Sequence, residues 1–199
     1  MSGSGLAHLR HLSSLEALDL TGTQLGDDGL MHLSELENLR GLSLAWTRVT
    51  DEGLKHLAGL VNLECLRLPH TDVTGVGLQP LERLAKLFLL ELGGTAVDDR
   101  AMRTVARMSA LTILELNETR VTSAGVYYLR RLPALRSLNL NNTSVDDASL
   151  VSLRPMRTLR SVGLCDTYVT PDGVESLRRA RPDLSVSWID RAKRAPATD

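Results

Sequence analysis

The sequence predicts an α/β solenoid: short strands stacked into one parallel sheet, with short helices on the other side. Three observations carry the prediction. Leu15, Leu39, Leu63, Leu87, Leu111, Leu135 and Leu159 stand 24 residues apart with no insertion or deletion between them. Within each copy the apolar spacing changes halfway, from the alternation of a strand to the three- and four-residue stripe of a helix. Finally, one strand and one short helix cannot bury their apolar faces alone, so the copies must stack on each other.

The strand half is read from "LEALDL" and "LRSLNL", where Leu18 and Leu20, or Leu138 and Leu140, face inward. The helical half is read from "GLMHLSEL" and "GLKHLAGL", apolar at every third position. Each predicted helix is preceded by Gly26, Thr50, Thr74, Asp98, Thr122, Asp146 or Thr170, residues that favour the N-cap. Pro171 suits a first helical turn. Acids there (Asp27, Asp28, Asp51, Glu52) are favoured by the helix dipole. The third copy departs, with Gly75 in place of the acid and Pro80 in the helix interior, so its helix is expected to start late or break.

The full unit reads L-x-x-L-x-L-x-x-T-x-[LV], followed by the helical stripe, seven times from 15 to 182. Residues 1–14 supply half a unit through Gly5, Leu6, Leu9 and Leu12, with a Ser/Gly stretch at 1–5 like a cloning scar. Residues 183–199 supply a closing strand, "LSVSW", and a basic tail. Trp188 falls in a core slot of that strand. The pattern resembles the leucine-rich repeat family over nearly the whole chain. "VTDEGL" and "VTSAGV" are similar to the bacterial ribonuclease-inhibitor-like and GALA-type repeats. That resemblance implies a right-handed solenoid with a concave sheet, a convex helical face and a role in binding proteins. The family's usual Asn is Thr in all seven copies (Thr23 to Thr167), which implies a Thr hydroxyl ladder between turns in place of an Asn ladder.

Composition narrows the rest. The chain has 199 residues and is 43% hydrophobic but only 3% aromatic, so Leu and Val must build the core. No apolar run is long enough to span a membrane, and "MSGSGLAHLRHL" lacks the layout of a secretory signal. Cys65 and Cys165 make neither a disulfide framework nor a metal motif, so a cytoplasmic, reduced compartment is the default, with secretion without a visible signal peptide as the alternative. Net charge is −1, but residues 1–100 carry −6 and residues 101–199 carry +5.

If the leucines are framework, function lies in the free positions. Equivalent positions of adjacent copies come within ~4.8 Å, so they can be read as columns. One column contains Cys65, Leu89 and Ile113, an apolar stripe; the next contains Arg67, Glu91, Glu115 and Asn139. A further column runs Gly22, Trp46, His70, Gly94, Glu118, Asn142, Asp166. Trp46 and Leu89 read as apolar anchors supported by Ile113. Arg67 and His70 read as polar contacts, Glu91, Glu115 and Glu118 as an acidic field, and Asn139 and Asn142 complete the candidate set. The competing reading has Trp46 folded over its own loop with Arg48 packed on it.

Other constellations are weaker. His8, His32 and His56 share a helix position, but helix axes ~8–10 Å apart let at most two of them reach one ion. Arg130, Arg154 and Arg178, with Arg107, Arg131, Arg157, Arg179, Arg181, Arg191, Lys193 and Arg194, form a basic strip on the helical face. It suits an anionic partner or simply offsets helix C-termini. Few nearby aromatic rings disfavour nucleic acid. Cys65 and His70 are ~16 Å apart in extended chain, and an open sheet gives the glutamates no desolvating pocket. The sequence therefore reads as a monomeric, non-catalytic module without metal or cofactor that binds a protein on its strand face. The alternatives are the arginine strip, or a structural piece of a longer solenoid.

Overall fold

The computed structural model describes residues 3–190. Eight three-residue strands form one parallel sheet in chain order: β1 (Ala17–Asp19), β2 (Gly41–Ser43), β3 (Cys65–Arg67), β4 (Leu89–Glu91), β5 (Ile113–Glu115), β6 (Ser137–Asn139), β7 (Ser161–Gly163) and β8 (Ser185–Ser187). The 24-residue spacing is the register itself. Leu18 pairs with Leu42, Leu42 with Leu66, and so on to Val162 with Val186. The central residue of each strand faces the core, and Leu42, Leu66, Leu90 and Leu114 are fully buried. Burying one leucine is worth about 1.5–3 kcal/mol, and these contacts repeat in every unit.

Helices behind the sheet lengthen along the chain. α1 (Asp27–Leu30) and α2 (Asp51–Leu54) have four residues each and tighten into 3₁₀ turns over Met31–Leu33 and Lys55–Leu57. The third unit has only a 3₁₀ segment, Val76–Arg83, entered through Gly75 at φ 104° and holding Pro80. Proline removes an N–H and excludes the preceding carbonyl, which is why no α-helix forms there. α3 (Ala101–Val105), α4 (Ser123–Leu129), α5 (Asp147–Leu153) and α6 (Pro171–Ala180) follow. Thr50, Thr122, Asp146 and Thr170 accept an N–H as N-caps. Gly26 has no side chain to do so, and Asp98 lies ahead of α3 while still accepting the N–H of Arg100.

The acids of the first turn do more than face a dipole. Asp27 accepts both the N–H and the hydroxyl of Thr50 in the next unit, at 2.8 and 2.7 Å. Asp51 with Thr74, Asp99 with Thr122 and Asp147 with Thr170 repeat the clasp. Each aspartate fills the space where a Cβ would stand on Gly53, Gly77, Gly125 or Gly173. Where the acid is missing, at Gly75 and Ser123, the corresponding glycine is Ala101 or Ser149.

Two expectations are corrected here. The threonines after each strand do not form a ladder between turns: each hydroxyl donates to the carbonyl three residues earlier in its own unit, as Thr47 does to Leu44 at 2.6 Å and Thr143 to Leu140 at 2.6 Å. Threonine is too short to reach the next turn, so it closes its own. Arg181 does not belong to an exposed strip. It is 1% exposed and donates to the carbonyls of Met156 and Leu159 at 2.9 and 3.0 Å and to Asp183 at 2.9 Å. Trp188 packs on the core and donates its indole N–H to Val169 at 3.1 Å. Arg191, Lys193 and Arg194 lie outside the described residues.

Candidate functional site

Parallel hydrogen bonding continues past each strand. Leu44 donates to Arg67 and Trp46 to Pro69, at 2.8 and 2.9 Å, and the equivalent N–H groups of other units do the same. The chain then turns sharply, and the residue at that turn is left-handed throughout: Gly22, Trp46, His70, Gly94, Glu118, Asn142 and Asp166 have φ between 53° and 69°. Gly, Asn, Asp and His suit this conformation, whereas a large side chain there costs about 1–2 kcal/mol. Trp46 is the bulkiest residue of the column and stands in it at φ 58°. The composition of the column carried this signal in the sequence, and the column reading passed over it.

Trp46 does not fold over its own loop. Its ring stacks on the His70 imidazole of the next unit, with centroids 3.8 Å apart and planes 21° from parallel. His70 in turn lies over Gly94, where an added Cβ would collide with the imidazole. These two side chains thus lean along the solenoid toward the next unit. Trp46 remains 62% exposed.

Across the sheet, Cys65, Leu89 and Ile113 pair in register and are each half-buried. Burial raises the Cys65 thiol above its ordinary pKa, which keeps it protonated. Beside the stripe, Arg67 Nε donates to Glu91 Oε1 at 3.0 Å, so those two opposite charges are largely spent on each other. Burial, with a smaller contribution from Glu91, raises Glu115, although Asn139 Nδ2 donates to it at 2.6 Å. Asn139 also accepts the N–H of Asn141. Glu118 and Asn142 sit apart from these, exposed in the left-handed column. The candidate residues therefore divide into an aromatic shelf, Trp46 on His70, and a sheet centre made of Leu89, Ile113, Arg67, Glu91, Glu115 and Asn139. Phe88, the one phenylalanine of the chain, is half-buried beside Leu89 in a column the sequence reading left out.

On the helical face the arginine strip is largely committed. Arg130 lies over the Tyr127 ring at 3.8 Å and bonds its hydroxyl. Arg154 donates to Ser176, Arg178 to the Val186 carbonyl, Arg107 to Glu82 and Arg179 to Glu175. Among the described residues, no helix is long and apolar enough to cross a membrane.

Residues 11–34 and 35–58 match the family described as "Leucine Rich repeat". No curated protein matches the chain. Solved structures do. An internalin (inlF) from Listeria monocytogenes is 22% identical with a TM-score of 0.75, over 91% of this chain and 49% of its own. Internalin C2 (inlC2) of the same organism is 24% identical with a TM-score of 0.63, over 85% and 76%. A leucine-rich repeat protein of Leptospira interrogans is 19% identical with a TM-score of 0.64, over 91% and 50%. The chain thus spans about half the length of two of these proteins. By fold and by repeat, the chain is a leucine-rich repeat solenoid.

Proposed function

We propose that the chain is a non-catalytic protein-binding module whose partner docks on the strand face, with Trp46, Leu89 and Ile113 as apolar contacts. Arg67, His70, Glu91, Glu115, Glu118, Asn139 and Asn142 surround them. The observation that carries the reading is Trp46: a large ring held in an unfavourable backbone conformation and left exposed. Backbone strain of this kind gathers at binding sites, and tryptophan is over-represented among the residues that dominate interfaces. Proteins of leucine-rich repeat fold typically serve in protein interaction, which supports the class of function. Repeat two to repeat five, the span of the aromatic shelf and the apolar stripe, form the docking centre.

The reading is tested by affinity capture from a lysate of the source organism, comparing wild type with a Trp46→Ala, Leu89→Asp double variant. Circular dichroism and size must match first. A protein retained by wild type and lost by the variant is the expected result; an identical captured set overturns the strand face. An Arg130→Glu, Arg154→Glu variant tests the helical face in parallel. Because those arginines already hold Tyr127 and Ser176, capture is expected to persist with it.

A further inference from the structure

We propose that the uncovered face of the Trp46 ring, together with the Asp19 carboxylate, forms a subsite for a planar cation, namely an arginine side chain presented by the partner. The inference rests on the strand-face reading and specifies the chemistry of one of its contacts. One face of the ring is occupied by His70. The other faces the preceding unit, whose residue in the same column is Gly22. It has no side chain, and nothing lies within 4 Å of where its Cβ would stand. Every other non-glycine side chain in that column follows a neighbour that has its own; Trp46 and Glu118 alone follow a glycine. The slot beside the indole is therefore open, one residue wide and floored by backbone.

The first unit offers one acid on this face of its strand. Asp19 lies three residues before Gly22 on an exposed strand position, paired in register with Ser43. The Thr21 hydroxyl is 2.8 Å from that of Ser43, and the Thr21 N–H donates to Asp19 at 2.9 Å. Those bonds from Thr21 hold the Asp19 carboxyl below its ordinary pKa, so the negative charge persists. Of the cations along the sheet, Arg67 is engaged by Glu91 at 3.0 Å and Arg40 by Glu64 at 2.9 Å. An electron-rich indole face on the same side of the sheet as an ionised carboxylate suits a guanidinium, which stacks through its plane and donates through its edge. A neutral ring would stack equally well but would gain nothing from the charge of Asp19.

The test titrates N-acetyl-arginine methylamide and its uncharged citrulline counterpart into isotopically labelled protein and follows the two indole N–H signals by NMR. Trp46→Phe assigns them. The arginine compound is expected to move the Trp46 signal saturably, with the citrulline compound binding roughly two- to fivefold more weakly. The Trp188 signal should stay fixed because its N–H is held by Val169. Asp19→Asn should weaken only the arginine response. Gly22→His fills the slot with an imidazole able to lean on Trp46 as Trp46 leans on His70, and histidine already adopts this backbone at position 70. That variant should abolish the arginine response, whereas Leu89→Asp should leave it intact. Equal responses to the two compounds, no response of Trp46, or an arginine response that survives Gly22→His each overturn the subsite. The two readings fail separately. A partner captured by the Gly22→His variant but lost with Leu89→Asp keeps the strand face and removes the subsite as its contact. Capture lost with both variants supports the subsite.

Discussion

The first and last units of the solenoid carry the same apolar framework and finish it differently. At the N-terminal side, Leu9, Leu15 and Leu18 are only partly buried, and Leu12 is 47% exposed. Their equivalents one unit on, Leu33, Leu39, Leu42 and Leu36, are fully buried. At the C-terminal side, α6 is followed by Arg181, which lies beneath the chain and caps the carbonyls of the preceding unit. Leu184 is buried, and Trp188 covers the core in β8. The difference teaches that the leucine pattern is covered only by another copy of itself. At β8 the described residues use different chemistry: donors for the backbone carbonyls, and one large ring over the leucines.

The sharpest way to break this comparison is Arg181→Met, which keeps most of the side-chain volume and removes the donors. It strands the Leu159 carbonyl, takes one of two donors from that of Met156 and leaves Asp183 with Arg160 alone. Leaving a buried carbonyl without a donor costs about 1–3 kcal/mol, and the other lost bonds of the guanidinium add to it. Urea unfolding of the variant should show a loss of that size, with hydrogen-exchange protection falling first in β7 and β8. A midpoint equal to wild type would mean that the arginine does not close the stack.

Next in size is the aspartate clasp, present at both ends. Asp147→Ala removes two bonds to Thr170, and Asp27→Ala removes the same two bonds to Thr50. Hydrogen bonds to charged groups are worth about 1.5–3 kcal/mol. In a solenoid whose units meet only their neighbours, a loosely covered end opens before the rest. Asp147→Ala should therefore lower the global unfolding midpoint, while Asp27→Ala should mainly speed exchange in α1 and α2. Equal effects in both assays would show that the two ends are equally firm.

Legibility followed the same division. The repeat, its register and its parallel sheet were readable because 24-residue spacing is a pattern, and stacking turns spacing directly into register. Single residues that end or interrupt the pattern were not. Arg181 looked like one more surface arginine, 24 residues after the exposed Arg157, because nothing in one sequence separates a donor to the surface from a donor to buried carbonyls. Trp46 stands out in the sequence as the one tryptophan of its column. Its left-handed backbone and its stack on His70 emerged only with the turn that produces them. The Arg67–Glu91 pair also cuts the acidic field that a count of charges suggested.

A smaller effect tests the closed end through pH. The Arg181 side-chain hydrogen bonds, with the charges of Arg181 and Arg160, hold Asp183 at about 2, below its ordinary 3.8. A depressed carboxylate contributes stability that is present above its unfolded value and lost as pH falls through its folded one. Wild type should therefore lose stability between about pH 4 and pH 2 more steeply than Asp183→Asn, with the two curves converging at the acid end. Parallel curves would remove Asp183 from the closure.

The smallest effect lies at the open end, and its smallness is the point. Leu12 and Leu36 occupy the same position of successive units, one 47% exposed and the other fully buried. Leu36→Ala leaves a cavity and should cost about 2–5 kcal/mol. Leu12→Ala removes a half-exposed side chain and should stay within about 0.5 kcal/mol. Urea midpoints for the pair measure how much of a leucine's contribution comes from its own unit and how much from the unit above. A cost at Leu12 approaching that at Leu36 would mean that this end is covered in solution, and the contrast between the two ends would then vanish.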